Sequence, residues 1–447
     1  MQEGRPAGRP SCVRLHSSAM LGRAMSAASI DDHGVLVVGG TKVFPLVLSK
    51  GPPADRDAPS GRNGLAEVAA AGVNFVRTGI GDWSLARLAA QLAAERALLD
   101  AAHAHGLHAW SWLGTAPNLP AQPAGRPPSP QEQLLTRLAD GLQGHPALGA
   151  YKGIDEPANP LRTKVVPPSS MALAYRRLKA IDPSHPVVVI QAPRSTVAQL
   201  ARYRPTFDIT GADIYPVSYP PGVHARTANK DLSLVGDITR KMVAAAGGKP
   251  VWTTLQIAWS GTAPSKPHAT VVPRLPSLHD ERFMAYQAIA NGARGLSFFG
   301  GHLTQVASPE DAEAGWNWTF WEHVLQPLVA ELSSPAVKPA LVAPAAHAAV
   351  RASARDVELA VRNDGTFLYV IAVRRGTATS LVKFSGLPKK RNGAAITAGR
   401  VLHEYVQRPL PPPIEAGHQV FRPIAVAGGS FQDWFGPHDA HVYRFQL

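Results

Sequence analysis

The segment Tyr151-Lys152-Gly153-Ile154-Asp155-Glu156-Pro157 sets two carboxylates side by side at the end of an apolar run, and Pro157 stops what precedes it. If that run is a strand, successive side chains point to opposite faces, so Asp155 and Glu156 differ in role rather than share a proton. Acid–base chemistry suits such a pair. A helix N-terminus decorated with acids would explain it equally well, because the helix dipole favours negative charge there. Other apolar runs end in groups that could complete a site: Arg77, Trp112, Gln191, Asp213 with Tyr215, Gln256, and Gly300 to His302. Trp83, Trp259, Trp316 and Trp318 fall near run ends or in the loops after them, where flat apolar faces could stack on a ligand. Trp110 and Trp252 fall inside runs and are expected to pack.

The elements that must position these residues repeat. Eight strand-like runs are expected at Val43–Leu48, Val73–Thr78, His108–Leu113, Leu148–Ile154, Val187–Gln191, Ile209–Tyr215, Val251–Gln256 and Gly295–Phe299. Segments with a period near 3.6 lie between them: Leu85–His105, Gln131–Leu142, Ser169–Ile181, Val197–Arg202, Leu232–Ala246, Asp280–Asn291 and Trp321–Leu332. His105-Gly106 and Asn291-Gly292 supply helix stops directly before strands. The fold class expected is α/β, a (β/α)8 TIM barrel, with an open doubly wound sheet as the alternative. In such a barrel the active site lies at the C-terminal strand ends, where the polar groups above fall.

Residues 340–447 change character. Val357–Val361, Phe367–Val373, Ser380–Phe384, Arg400–Tyr405 and His441–Phe445 are short strand-like runs split by Gly, Pro and Asn-Asp-Gly clusters. The expected division is a disordered tail over 1–34, the barrel over 35–338 and an all-β sandwich over 339–447.

Composition excludes several alternatives. The single cysteine, Cys12, rules out an internal disulfide framework and a cysteine-rich zinc site. The net charge of +13 is spread along the chain, so nucleic acid is not an expected partner. The run Lys389-Lys390-Arg391 sits in a turn. No stretch reaches the length of a membrane span, and Gly22-Arg23 splits the only apolar patch near the N-terminus, which favours a cytoplasmic location over export. His103, His105 and His108 straddle a helix end and a strand start, on the face opposite an active site, so no metal is expected. Gly79-Ile80-Gly81 lacks the third glycine of a dinucleotide fingerprint, and no cofactor is expected.

Three motifs carry a family resemblance over about residues 35–335. Gly72-Val73-Asn74-Phe75-Val76-Arg77 resembles the second-strand pattern of clan A glycoside hydrolases, Asp155-Glu156-Pro157 their fourth-strand Asn-Glu-Pro, and Asp213-Ile214-Tyr215 their sixth-strand tyrosine region. Phe435 to Phe445 looks like the closing strand of the sandwich that often follows such barrels. The resemblance implies a carbohydrate substrate, Glu156 as general acid/base, and Arg77 and Tyr215 as residues that orient a second carboxylate. Trp112, Gln256, Trp259 and His302 join Arg77 and Tyr215 as expected substrate contacts.

Two departures bear on mechanism: Asp155 replaces the asparagine before the acid, and Gln256 stands where the family has its seventh-strand glutamate nucleophile. An amide cannot be that nucleophile. Retaining hydrolysis needs two carboxyls about 5–5.5 Å apart and inverting hydrolysis about 6.5–9.5 Å. Three readings remain. Asp213 could be the base of an inverting reaction, Asp155 could orient a substrate 2-acetamido group that itself attacks, or the barrel could bind sugar without cleaving it.

Overall fold

The computed structural model describes residues 27–123, 125–160, 165–218, 220–222, 227–257, 274–299, 308–404 and 420–447. Eight parallel strands close a barrel: β4 (Leu46–Leu48), β5 (Phe75–Gly79), β6 (His108–Trp112), β7 (Leu148–Lys152), β8 (Val187–Gln191), β9 (Ile209–Ile214), β10 (Val251–Gln256) and β11 (Ala293–Phe299). Closure is made where Leu296 pairs with Leu46. Before them, β1 (Ala28–Ile30), β2 (Leu36–Val38) and β3 (Thr41–Val43) form a small antiparallel sheet. That sheet takes in residues 28–30, which the sequence placed in the tail, and it separates Val43 from the first barrel strand.

The intervening helices begin where the sequence has capping chemistry. α1 (Gly64–Ala71) starts at Asn63, whose side chain accepts from Leu65 and Ala66 N–H, and stops at Gly72 in the left-handed conformation. Its eight residues follow a Gly- and Pro-rich stretch, which hides its period, and the sequence did not show it. α2 (Leu88–Ala104), α3 (Pro130–Leu142), α4 (Pro168–Ile181), α5 (Val197–Ala201), α6 (Leu234–Ala246) and α7 (Leu278–Ala290) match their expected segments within a few residues. Ser277 and Asp280 form a reciprocal capping box at the start of α7.

The last expected helix is interrupted. After α8 (Pro309–Ala314) the chain makes a short turn, α9 (Trp318–Phe320), a π-helical turn at Trp321–Leu325, then α10 (Gln326–Ser333) and α11 (Lys338–Val342). Pro327 has no N–H, and its ring crowds the carbonyl four residues earlier, so the wide turn lies where a regular ladder could not continue.

The C-terminal part is a sandwich. A three-stranded sheet, β12 (Arg351–Ala352), β15 (Ser380–Ser385) and β18 (Ser430–Phe435), faces a five-stranded antiparallel sheet ordered β13 (Val357–Asn363), β14 (Phe367–Arg374), β19 (Asp439–Gln446), β16 (Ala398–Glu404) and β17 (Val420–Ala425). Val370, Val382, Phe384, Phe431, Tyr443 and Phe445 fill the space between them. The other face of the five-stranded sheet adds Tyr369, Ile371, Val373 and Val442 to the core of the barrel helices. Arg282 on α7 bonds buried Glu331 through Nε at 2.9 Å and reaches the Ala440 carbonyl at 2.7 Å, which fixes the sandwich against the barrel wall.

Candidate active site

The period of two along each strand builds the barrel interior in layers. The lower layer includes Val47, Phe75, Ala150, Val188 and Trp252, which pack with Leu36 and Val38 of the small N-terminal sheet. Two residues further along, the inward positions become Ser49, Arg77, Lys152, Ile190, Asp213, Thr254 and Ser297, and these line a pocket together with Trp110, Asp155 and Phe299. The enclosed space is about 30 Å³, room for a water molecule or two, so these residues form the floor of a site. A larger cavity of about 360 Å³ shares Ser49 and Arg77 with it.

Arg77 is held by donation from Nε to the Ser49 carbonyl at 2.7 Å and lies 5.1 Å from the Trp112 ring centre. Lys152 lies 5.1 Å from the same ring and 5.7 Å from that of Trp110, and its ammonium pairs with Asp155. Trp112 is therefore flanked by two cations, a favourable use of its ring quadrupole. The strands that carry Arg77 and Trp112 are pinned by Glu95 of α2, a buried carboxylate that accepts from Thr78 at 2.5 Å, Ser111 at 2.6 Å and Gly79 N–H at 2.8 Å. Gly79 adopts φ 82°, and a Cβ there would meet the Trp112 backbone at 2.3 Å, so only glycine permits this approach.

Asp155 and Glu156 lie beyond the end of β7, in a bend rather than on the strand, and it is this bend that sends their side chains in different directions. Asp155 lines the pocket, whereas Glu156 turns in the left-handed region at φ 45° with its N–H on the Ile190 carbonyl at 2.8 Å. A non-glycine residue in that conformation costs on the order of 1–2 kcal/mol. Asn159 donates to the Glu156 carboxylate at 2.7 Å, and its own N–H closes the turn on the Glu156 carbonyl at 3.0 Å.

Across the floor, Asp213 is held well above the usual carboxylate range, first by loss of solvation and then by the negative charges of Asp155 and Glu156. Lys152 and a hydrogen bond with the Tyr215 hydroxyl act in the opposite direction without reversing it. Burial and Asp213 push the Tyr215 phenol up in turn, and its ring stacks on Phe299 at 5.8 Å. Burial lowers the Arg77 guanidinium, opposed by Asp155, Asp213 and Tyr215.

The structure thus brings together Arg77, Trp112, Asp155, Glu156, Asp213 and Tyr215. Gln256 is placed differently from the expectation. It is fully buried, its Oε1 accepts from Val217 N–H at 2.9 Å, and its Nε2 donates to the Val217 carbonyl at 2.8 Å. Both ends of the amide hold the loop after β9, and Gln256 is not among the residues that line the pocket. Gln191 is buried as well, its Oε1 near Ala158 N–H. Trp259 and His302 lie outside the described residues.

Sequence reasoning missed Lys152, Ser49, Thr254 and Ser297 as pocket residues, and it assigned Trp110 to packing alone. Counting back by two from Gln256 and Phe299, the last residues of their runs, reaches Thr254 and Ser297. Thr254 Oγ1, Ser297 Oγ and Trp110 Nε1 are buried without a hydrogen-bond partner among the described residues, which leaves them available to a bound polar group. Among the described residues no cluster of His, Cys, Asp and Glu could hold a metal ion, and no helix is long and apolar enough to cross a membrane.

No known protein-family profile matches the chain, and no curated protein sequence matches it. Solved structures do. One described as a glycoside hydrolase matches with a TM-score of 0.58 at 12% identity, over 95% of this chain and 97% of its own. A family 51 α-L-arabinofuranosidase from Bifidobacterium longum matches at 0.52 and 11%, over 94% and 97%. An α-L-arabinofuranosidase from Thermotoga maritima, solved with arabinose, matches at 0.51 and 10%, over 91% and 96%. At these identities the likeness is one of fold. The resemblance expected from the barrel motifs holds at that level: an eight-stranded parallel barrel followed by an all-β domain, built like the glycoside hydrolases it matches.

Proposed function

We propose that this protein hydrolyses O-glycosidic bonds of an oligo- or polysaccharide by acid–base catalysis, with Asp213, Glu156 and Asp155 as its carboxylates. The observation that carries the reading is a buried carboxyl, Asp213, whose proton affinity is raised by burial and by the neighbouring carboxyls of Asp155 and Glu156, at the C-terminal mouth of a barrel of this fold. Carboxyls whose environments pull their proton affinities apart divide into acid and base.

On this reading the proton of the cluster resides on Asp213. Asp213 protonates the departing oxygen, Glu156 accepts a proton from the attacking water, and Asp155, ion-paired with Lys152, lies where a developing positive charge on the sugar would meet it. This exchanges the roles implied by the family resemblance, in which Glu156 is the acid. Trp112 and Arg77, which lies 5.1 Å from its ring centre, supply the sugar contacts.

The test compares turnover of aryl glycosides with good leaving groups against natural oligosaccharides. Asp213→Asn should lose about 10²–10⁴-fold on poor leaving groups and much less on activated ones, whereas Glu156→Gln should lose on both. The reverse pattern returns the acid role to Glu156. A second reading, sugar binding without cleavage, is favoured by one observation: Gln256 occupies the seventh-strand position and is committed to Val217. Calorimetric binding of an oligosaccharide that the wild type never turns over would establish it.

A further inference from the structure

The most exposed large hydrophobic side chain among the described residues is Trp434, 61% exposed on β18 of the sandwich, far in fold terms from the carboxylates. It stands opposite Leu381, itself 43% exposed, in the register of β15 and β18. The same register sets Lys383 opposite Gln432 and Ser385 opposite Ser430, and Arg351 pairs with Ser385 from the third strand. Residues two apart share a face, so Trp434 with Leu381, Lys383 with Gln432, and Arg351 with the two serines form three rows about 7 Å apart. The alternate residues Val382, Phe384, Phe431 and Phe435 are buried in the sandwich core.

No acidic side chain points outward from these three strands. Their one acid, Asp433, is buried, and Arg422 at 2.7 Å and Tyr443 at 2.9 Å hold its carboxylate. The face is an aromatic platform with two cations and several neutral hydrogen-bonding groups, in a region that carries 13 basic and 7 acidic residues over 345–447.

We propose that this outward face is a second glycan-binding surface, and that it takes an anionic polysaccharide chain such as a uronate polymer. Trp434 offers a flat apolar face for a sugar ring, Gln432, Ser385 and Ser430 offer partners for hydroxyls, and Lys383 and Arg351 meet the carboxylates. Charge complementarity selects an anionic chain over a neutral one. One Trp and one Leu fall well short of the ~800 Å² per partner of a stable protein interface, which argues against a second copy. Two cations are also sparse for nucleic acid, whose affinity rests on many phosphate contacts. The choice of a glycan over other anionic chains rests on the proposed function, but the surface belongs to a different domain and is tested separately.

The experiment uses the full chain carrying Glu156→Gln, so that the polymer is not consumed, and measures equilibrium binding to polygalacturonate and to neutral dextran at low and high salt. Polygalacturonate should bind in preference to dextran and less well at high salt. Trp434→Ala should weaken that binding by about tenfold or more, as removal of a central aromatic anchor does, with an unchanged melting curve because the side chain is exposed. Lys383→Gln should weaken it less and flatten the salt dependence. Trp434-dependent binding in a protein that hydrolyses no glycoside would uphold the surface while sinking the proposed function. Equal binding before and after Trp434→Ala, equal binding of dextran, tighter binding of a single-stranded DNA, or a dimer that Trp434→Ala dissociates would each overturn the surface.

Discussion

The two ends of the barrel are built from opposite materials. At the lower end Phe75 and Trp252 meet edge to face at 6.0 Å, Trp110 joins Trp252 at 6.1 Å, and the small N-terminal sheet closes over them. Glycines make room for these rings: a Cβ on Gly149 would meet Phe75 at 2.4 Å, and one on Gly295 would meet Trp252 at 2.8 Å. Two residues higher the same strands present Arg77, Lys152, Asp213, Thr254 and Ser297, several of them desolvated or short of hydrogen-bond partners. One end is closed by packed rings and the other holds desolvated polar groups, the division that a barrel usually shows between its two faces.

Substitutions should therefore have opposite signs at the two ends. The largest effect is expected at the closed end. Trp252→Ala, which empties a fully buried ring site, should destabilise by about 3–5 kcal/mol in a denaturant titration. A loss below 1 kcal/mol would mean that this end can collapse around the void.

Gln256→Glu comes next and sharpens the border between packing and site. The carboxylate would lose the donor to the Val217 carbonyl and place an anion against it in a fully buried position, a cost of about 3 kcal/mol with loss of any activity. Gain of hydrolysis with retained configuration would instead mark the protein as a disabled retaining enzyme.

Glu281, near the start of α7 where that helix leaves the strand ends, is fully buried, and neither carboxyl oxygen has a hydrogen-bond partner among the described residues. Burial, then Asp280, raises its carboxyl well above the usual carboxylate range, which favours its neutral form in the folded state. A proton bound more tightly in the folded state stabilises fully below the unfolded value, and that contribution fades as pH rises from there toward the raised folded value. Glu281→Leu should gain about 1–3 kcal/mol at pH 7 and progressively less toward acid pH. An equal gain at every pH would show that the carboxyl is not the cause.

The smallest effect is expected at Asp213, where the same sign holds above 3.8. Asp213→Asn should raise stability at pH 7 by about 1 kcal/mol while it lowers turnover, the mark of a group kept for chemistry. A destabilised variant would make Asp213 a structural residue and break the contrast between the two ends.

Much of this was legible in the chain. β8 and β10 match their expected bounds, and six more barrel strands lie within a few residues, because apolar runs of strand length and helix stops such as Asn291-Gly292 are local signals. α1 was hidden by the Gly- and Pro-rich segment before it, β17 by Arg422 and Pro423 within it, and β18 by Gln432 and Asp433, which dilute the apolar pattern. Of the pocket lining, Arg77, Asp155 and Asp213 were picked out by their places at or near the ends of apolar runs. Lys152 was passed over because a lysine inside an apolar strand has no local signal for its partners, two tryptophan rings and a carboxylate.

The sequence by itself determined the barrel, the sandwich and the ring of polar residues at the strand ends, since period and capping act over a few residues at a time. Only the tertiary structure decided that Gln256 serves the loop at Val217, that burial and two neighbouring carboxyls raise the proton affinity of Asp213, and that Trp434 is left in solvent. Those outcomes depend on desolvation and on charges brought together from different strands, and neither exists until the chain has closed on itself.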